Sequence, residues 1–413
     1  MTENTKSSGR IFGYDLIRAA AVIMIVLYHM SKELAEAGYK YAHTELLIGR
    51  SLNMGKIGTS IFFILSGAVQ CLSWERITRE SAVKGKSGSF LKDTVTYYKK
   101  RWLNIFPMFY LAYVLGHVIS ILHLPGTGIA KRLFWSLLGL DGYLQMLGVS
   151  TLYVVGEWFL GVILILFLLF PFLYTAMKQK PWITGGVLVL LFVLFTSILP
   201  QRIIPDINIL VRSGEFGLGI AFHLYLKKMA DRWPKLISIL SGAILSVIGC
   251  LISLWVSDMY AIVILSSGLF LMLFELGNVI IRPEENPADK KTTETDQAHG
   301  STPPALQADG NLKGKPLSSA KMGWLRKGFQ KVVVTLSTIS FPIFLMHRLL
   351  IKTSLESWLA PEMSKATCFK WGIYLVILIL VVSWILQSAG KQAEKGISAF
   401  LSRKSKVFSN AGE

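Results

Sequence analysis

Apolar residues in this chain fall in long blocks, not in stripes of helical or strand period. Ten blocks stand out, at 11–31, 57–74, 102–123, 152–175, 182–200, 207–226, 236–256, 259–280, 332–353 and 370–390. About 20 apolar residues in helical form cross the hydrocarbon core of a bilayer. Lipid offers nothing to an open backbone group, so segments of this length and character predict helices. The pattern predicts an all-α, polytopic integral membrane protein with about ten transmembrane helices. An eleventh stretch, Leu133 to Gly148, is interrupted by Asp141, Gly139 and Gly142. It is too short to span and reads as a re-entrant or interfacial piece. The first block has the basic flank of a signal peptide in Lys6 and Arg10. Asp15 and Arg18 interrupt its apolar run and no small-residue cleavage pattern follows, so it reads as a retained span.

Composition agrees with that class. Only 16% of residues are charged and mean hydropathy is +0.50, whereas a soluble domain carries about a quarter charged residues. The net charge of +18 then needs a place to go. With the N-terminus inside, 30 of the 43 Lys and Arg fall in inner segments. That is the bias of a membrane protein with both termini cytoplasmic. The same charge forms no continuous basic face, so no nucleic acid is expected as a partner. Cys71, Cys250 and Cys368 are scattered and make neither a disulfide framework nor a metal-ligand spacing. No metal is expected. The chain reads as one membrane domain over 1–413, with a basic cytoplasmic loop at 75–101 and a polar, disordered cytoplasmic loop at 281–331. A basic cytoplasmic tail follows at 391–413, and its helical part, Ala389 to Leu401, suits the anionic inner leaflet. No internal repeat is evident, which weighs against transporter folds built from inverted repeats.

Ionisable groups inside lipid are costly and mark function by default. The first block is the richest. Arg18 and His29 are eleven residues apart, which returns to within about 20° of one helix face and spans ~17 Å. Asp15, three residues before Arg18, shares that face. An acid, a guanidinium and an imidazole are therefore aligned; alternatively, Asp15 and Arg18 only pair with each other and His29 bonds a carbonyl. His347 and Arg348 lie in the ninth block, where either suits the lining of an acceptor site and a structural role for the imidazole weighs as much. Arg212 and Glu215, at i and i+3, suit an ion pair. His117, His123 and His223 are expected to be structural, and the aromatic residues of the third block to be packing and interface.

Several segments, in order, resemble the membrane acyltransferase-3 family. They are Asp15-Leu16-Ile17-Arg18 followed by His29; Phe62-Phe63-Ile64-Leu65-Ser66-Gly67; the basic Lys99-Lys100-Arg101 leading to Pro107; Trp158-Phe159-Leu160 with Pro171; Glu215-Phe216-Gly217-Leu218-Gly219; and Ser340-Phe341-Pro342-Ile343-Phe344-Leu345-Met346-His347. The chain departs from the family pattern in having Ile163 and Leu164 where acidic residues are frequent, Gly156-Glu157 where others have His, and Phe341 and Phe344 for two tyrosines.

The resemblance implies O-acyl transfer from a cytoplasmic acyl-CoA, usually acetyl-CoA, to a hydroxyl of a cell-envelope or exported polysaccharide or its lipid-linked precursor. It implies a multi-pass protein of the bacterial cytoplasmic membrane, with membrane lipid, acyl-CoA, a glycan or lipid-linked glycan, and envelope-biosynthesis proteins as partners. No SGNH-type hydrolase domain follows the spans, so a second transfer step would need such a partner. The site residues it implies are His29, Arg18 and Asp15 for catalysis, Arg101, Lys100 and Lys99 for the donor, and His347, Glu215, Trp158 and Ser66 for the acceptor. A hydroxyl needs a base to become a nucleophile, and imidazole titrates in the right range. The developing oxyanion and the CoA phosphates need donors and cations. His29 falls in the outer half of the membrane, so the expectation is a pantetheine arm threaded deep into the bundle, with Arg18 nearer the donor. The rival readings are a transporter or flippase of lipid-linked sugars, and a scaffold in which Arg18 and His29 are structural.

Overall fold

A computed structural model describes residues 10–38, 52–83, 89–123, 133–149, 155, 157–199, 203–256, 258–281, 317–358 and 364–410. These form helices α1 (Phe12–Glu36), α2 (Met54–Val83), α3 (Phe90–His123), α4 (Leu133–Leu137), α5 (Asp141–Met146), α6 (Glu157–Gln179), α7 (Pro181–Val193), α8 (Ile209–Ala221), α9 (Lys227–Arg232), α10 (Lys235–Ile252), α11 (Asp258–Ile281), α12 (Leu317–Trp358) and α13 (Lys365–Asn410). No strand occurs among the described residues. Nine helical segments there are long and apolar enough to cross a membrane. The sixth block is not among them: Arg212, Glu215 and His223 interrupt its apolar run, and a π-turn, Phe222–Leu226, lies between α8 and α9. Backbone helix still runs on from Ile209 to Arg232. The chain is a polytopic helical membrane protein.

Helix reaches into three of the loop and tail segments. Most of 75–101 is helical: α2 runs on to Val83 and α3 starts at Phe90, and only 84–88 lie outside the described residues. Both helices extend past their apolar blocks because neither extension contains a glycine or proline, the residues that most oppose helix. The segment expected to be disordered from 281 is helical again from Leu317, while 282–316 lie outside the described residues. The basic tail, expected to be helical from Ala389 to Leu401, continues the last span within α13 to Asn410. The interrupted stretch at 133–148 is two short helices, α4 and α5. Positive-φ glycines Gly139 and Gly148 follow them, and Gly161 of α6 gives room for Tyr143 of α5.

The core is built on α1 and α2. In α2, 72% of the most apolar window is buried within the protein, against 11% for the segment starting at α7, which leaves α7 to face lipid. α1 packs on α2, α11 and α12; α2 also packs on α8; α12 packs on α13, which closes against α3. Apolar helices gain little from burial when lipid is the alternative, so close approach of small residues decides the contacts. Gly67 of α2 faces the Phe216 carbonyl of α8, and Gly219 of α8 faces the Ile64 carbonyl of α2. A Cβ at either position would run into that oxygen. α10 meets α11 through Gly242, Gly249 and Gly268 in the same way.

Candidate functional site

α1 and α12 are tied at both ends. Near the N-terminal end, Asp15 of α1 accepts two hydrogen bonds from Arg10, at 2.6 and 2.9 Å, and one from the Ser337 hydroxyl at 2.5 Å. Arg10 also donates to the Val334 carbonyl and Thr338 of α12. Near the other end, Arg348 of α12 donates to Glu33 of α1 at 3.3 Å. The alternative in which Asp15 pairs with Arg18 is not formed: Arg10 and Ser337 occupy the carboxylate. Asp15 thereby ties α1 to α12, and the structure does not bring it to His29, which lies fourteen residues further along α1.

Between the two ties the imidazoles of His29 and His347 meet edge to face, with ring centroids 5.0 Å apart. His347 is fully buried. Its Nδ1 lies 3.1 Å from the Ile343 carbonyl and 2.9 Å from the Phe344 carbonyl. A carbonyl only accepts, so Nδ1 carries the hydrogen and the neutral ring keeps its lone pair on Nε2. His29 Nδ1 is buried without a hydrogen-bond partner. The two rings share a cavity of about 30 Å³ with Thr59 on α2, Ile25, Trp158, Phe159 and Phe344. Sequence spacing paired His29 with Arg18; the pairing with His347 comes from α1 and α12 lying side by side.

Trp158 is set in this wall by a buried charge cluster. Arg212 of α8 is fully buried and sits 5.6 Å from the Trp158 ring and 5.2 Å from the Phe63 ring. Its Nη1 bonds both oxygens of Glu215 at 2.8 Å, and Nε donates to the Asp206 carbonyl at 2.7 Å. Ser60 donates to Glu215 at 2.8 Å. The ion pair suggested by the i, i+3 spacing is thus formed. Glu215 is fully buried with its oxygens bonded to Ser60 and Arg212, so it holds Arg212 beside Trp158.

A polar line on α2 leads away from the cavity. Thr59, Ser66 and Ser73 recur every seven residues, about 20° apart on the helix and ~10 Å per step. Ser66 is half-buried. Gln70 accepts from Tyr97 at 3.1 Å, and Ser73 accepts from Arg101 at 2.9 Å. Arg101 lies 5.6 Å from the Tyr97 ring, and its Nε is buried without a partner. Arg18 is half-buried and makes no hydrogen bond or ion pair among the described residues. Arg10, Asp15 and Arg101 act on it electrostatically. Two interior guanidiniums therefore lie in one region, and no carboxylate is bonded to either. Lys99 is exposed and Lys100 half-buried on the same helix as Arg101.

The remaining histidines divide. His223 lies 3.1 Å from Glu75, and His117 bonds the Tyr113 carbonyl at 3.1 Å; the side chains of His123 and Glu157 lie outside the described residues. Asp141, buried beside Ser136 at 2.9 Å, was noticed in the sequence only as an interruption of the short stretch. Among the described residues no group of three or more His, Cys, Asp or Glu is arranged to hold a metal ion.

A family model described as an acyltransferase domain, that of the acyltransferase-3 family, matches residues 11–282. The match takes in α1 to α11, with Arg18, His29, Arg101, Trp158 and Glu215; His347 lies beyond it. Neither a curated protein nor a solved structure matches the chain.

Proposed function

The chain belongs to the acyltransferase-3 family and is a membrane acyltransferase, and on that premise we propose that it moves an acetyl group from cytoplasmic acetyl-CoA to a hydroxyl of a cell-envelope or exported polysaccharide, or of its lipid-linked precursor. The observation that carries this reading is the polar line between two kinds of group. At one end stand Arg18 and Arg101, guanidiniums with no bonded carboxylate. At the other stands the His29–His347 pair. Unpaired interior guanidiniums suit anions, and planar forks suit phosphate. Imidazoles suit proton transfer at neutral pH. A CoA thioester offers phosphates at one end and a carbonyl at the other, joined by a narrow arm.

In this mechanism Arg18 and Arg101 hold the donor's phosphates, with Lys99 and Lys100 adding charge at the mouth. The pantetheine arm runs along Ser66 toward Thr59. The acceptor oxygen attacks the thioester carbonyl and its proton passes to the imidazole pair, His29 being the member on α1. The C–S bond breaks and the thiolate takes the proton back. Trp158 walls the site, held from behind by Arg212 and Glu215. The whole chain, 1–413, acts as one domain in the bacterial cytoplasmic membrane with both termini cytoplasmic, as its charge bias favours. It works with membrane lipid around it and with envelope-biosynthesis proteins.

Transfer of radiolabel from acetyl-CoA to envelope glycan tests this in membranes holding wild type, His29→Ala or Arg18→Ala at equal expression. Label transfer by wild type, lost in both variants, is the expected result. A wild type that binds no acyl-CoA and labels no glycan would leave transport of lipid-linked sugars as the better reading.

A further inference from the structure

We propose that a second cavity, between the α8–α9 segment, α10 and α11, holds one acyl chain of an anionic phospholipid. Lys227, Lys228 and Arg232 meet its phosphate, and the Ser238 hydroxyl meets its ester carbonyl. This needs only that the helices lie in a bilayer and stands apart from the acyl-transfer reading above. The cavity has a volume of about 200 Å³ and, two serines aside, is lined by apolar side chains. Ile64, Phe222 and Phe270 form its buried floor. Leu226, Met229 and Trp233 form its rim, each about half exposed, so the cavity opens outward to the bilayer. Ser238 and Leu245 of α10 both line it. They are seven residues apart, so it runs ~10 Å along the helix axis, the direction in which lipid chains lie. Trp233, just before α10, marks one end, and indole rings favour the headgroup level.

Two features at that end select the ligand. Ser241 and Ser246 of α10 each donate to the carbonyl four residues back. Ser238 is 1% exposed and its hydroxyl has no hydrogen-bond partner. A buried hydroxyl without a partner is costly, and a lipid ester just below the headgroup supplies an acceptor. The second feature is charge. Lys235 bonds Asp231 at 3.3 Å and the buried Glu275 at 3.0 Å. Lys227, Lys228 and Arg232 have no carboxylate bonded to them among the described residues. Four cations therefore stand against two carboxylates at the mouth, an excess that suits an anionic headgroup.

The test uses the purified full chain in neutral detergent, titrated with phosphatidylglycerol or with phosphatidylcholine of the same acyl chains. Bound lipid is read by native mass spectrometry and stabilisation by the melting temperature. Phosphatidylglycerol should bind at least tenfold tighter than phosphatidylcholine and raise the melting temperature by several degrees. Each basic side chain near an anionic surface is worth about fivefold in binding. A combined Lys227→Gln, Lys228→Gln, Arg232→Gln variant should therefore weaken phosphatidylglycerol at least tenfold and leave phosphatidylcholine unchanged. Ala230→Trp, which fills the cavity from α9, should weaken both lipids. If Ala230→Trp fails to fold, the triple variant, on surface side chains, still decides. Equal binding of the two lipids by wild type overturns the proposal, as does unchanged selectivity in the triple variant. Displacement of phosphatidylglycerol by a tenfold lower concentration of a polyprenyl phosphate would assign the cavity to an isoprenoid chain and overturn it as well.

Discussion

Four side chains carry the proposed chemistry, and their surroundings assign them different tasks. His347 has one ring nitrogen committed to two carbonyls, which leaves Nε2 as its only basic atom. His29 has no such anchor on Nδ1. Loss of a general base lowers turnover by about 10²–10⁴-fold. His347→Gln and His29→Gln should each reduce kcat for acetyl transfer by at least about a hundredfold while binding of acetyl-CoA is retained. Arg18→Gln should behave oppositely, raising KM for acetyl-CoA tenfold or more, because it removes a contact made before and during reaction alike. Steady-state transfer kinetics with varied acetyl-CoA separate the two patterns. If His347→Gln changes KM alone, the imidazole belongs to binding and not to proton transfer. As candidates, Arg18 and His29 were legible in the sequence, since helical spacing puts them on one face. That no carboxylate among the described residues is bonded to Arg18 was not, because Arg10 lies just before α1 and reaches forward to Asp15.

At the scale of elements, the α2–α8 seam positions the site. Glycines on both helices let backbone meet backbone, and Ser60–Glu215 and Phe63–Arg212 cross the same seam. Gly67→Leu or Gly219→Leu should destabilise the protein by ~1–3 kcal/mol or more, as overpacking does. Gly185→Leu in α7 meets open space and should leave the melting temperature in detergent within a degree or two. Equal effects at all three positions would mean that the seam is not the tight contact. Glu215→Ala should cost about 3–5 kcal/mol by stranding a buried Arg212. Helix positions were readable because twenty apolar residues have one solution in lipid. Helix ends were not: α2, α3 and α12 all extend beyond their apolar blocks, since polar residues of good helix propensity add turns that hydropathy cannot register.

The whole molecule is a bundle in which α1 and α2 form the centre and α7 and α10 the periphery. Orientation is the testable property at this scale. In a background with Cys71, Cys250 and Cys368 replaced, Ser87→Cys should resist an impermeant maleimide added outside intact cells, and Ser364→Cys should react. The reverse pattern would invert the topology and move the donor mouth to the wrong face. By itself the sequence determined the class, the positions of the apolar blocks, the charge bias and the family motifs, because each depends on residues near one another in the chain and on the bilayer as solvent. Tertiary structure alone decided that His347 faces His29, that Ser337 joins Arg10 on Asp15, and that Glu215 works behind Trp158. Those outcomes depend on which helices lie side by side, and that is set by small-residue contacts and buried polar pairs between segments far apart in the chain, 318 residues in the case of His29 and His347. No local pattern encodes them.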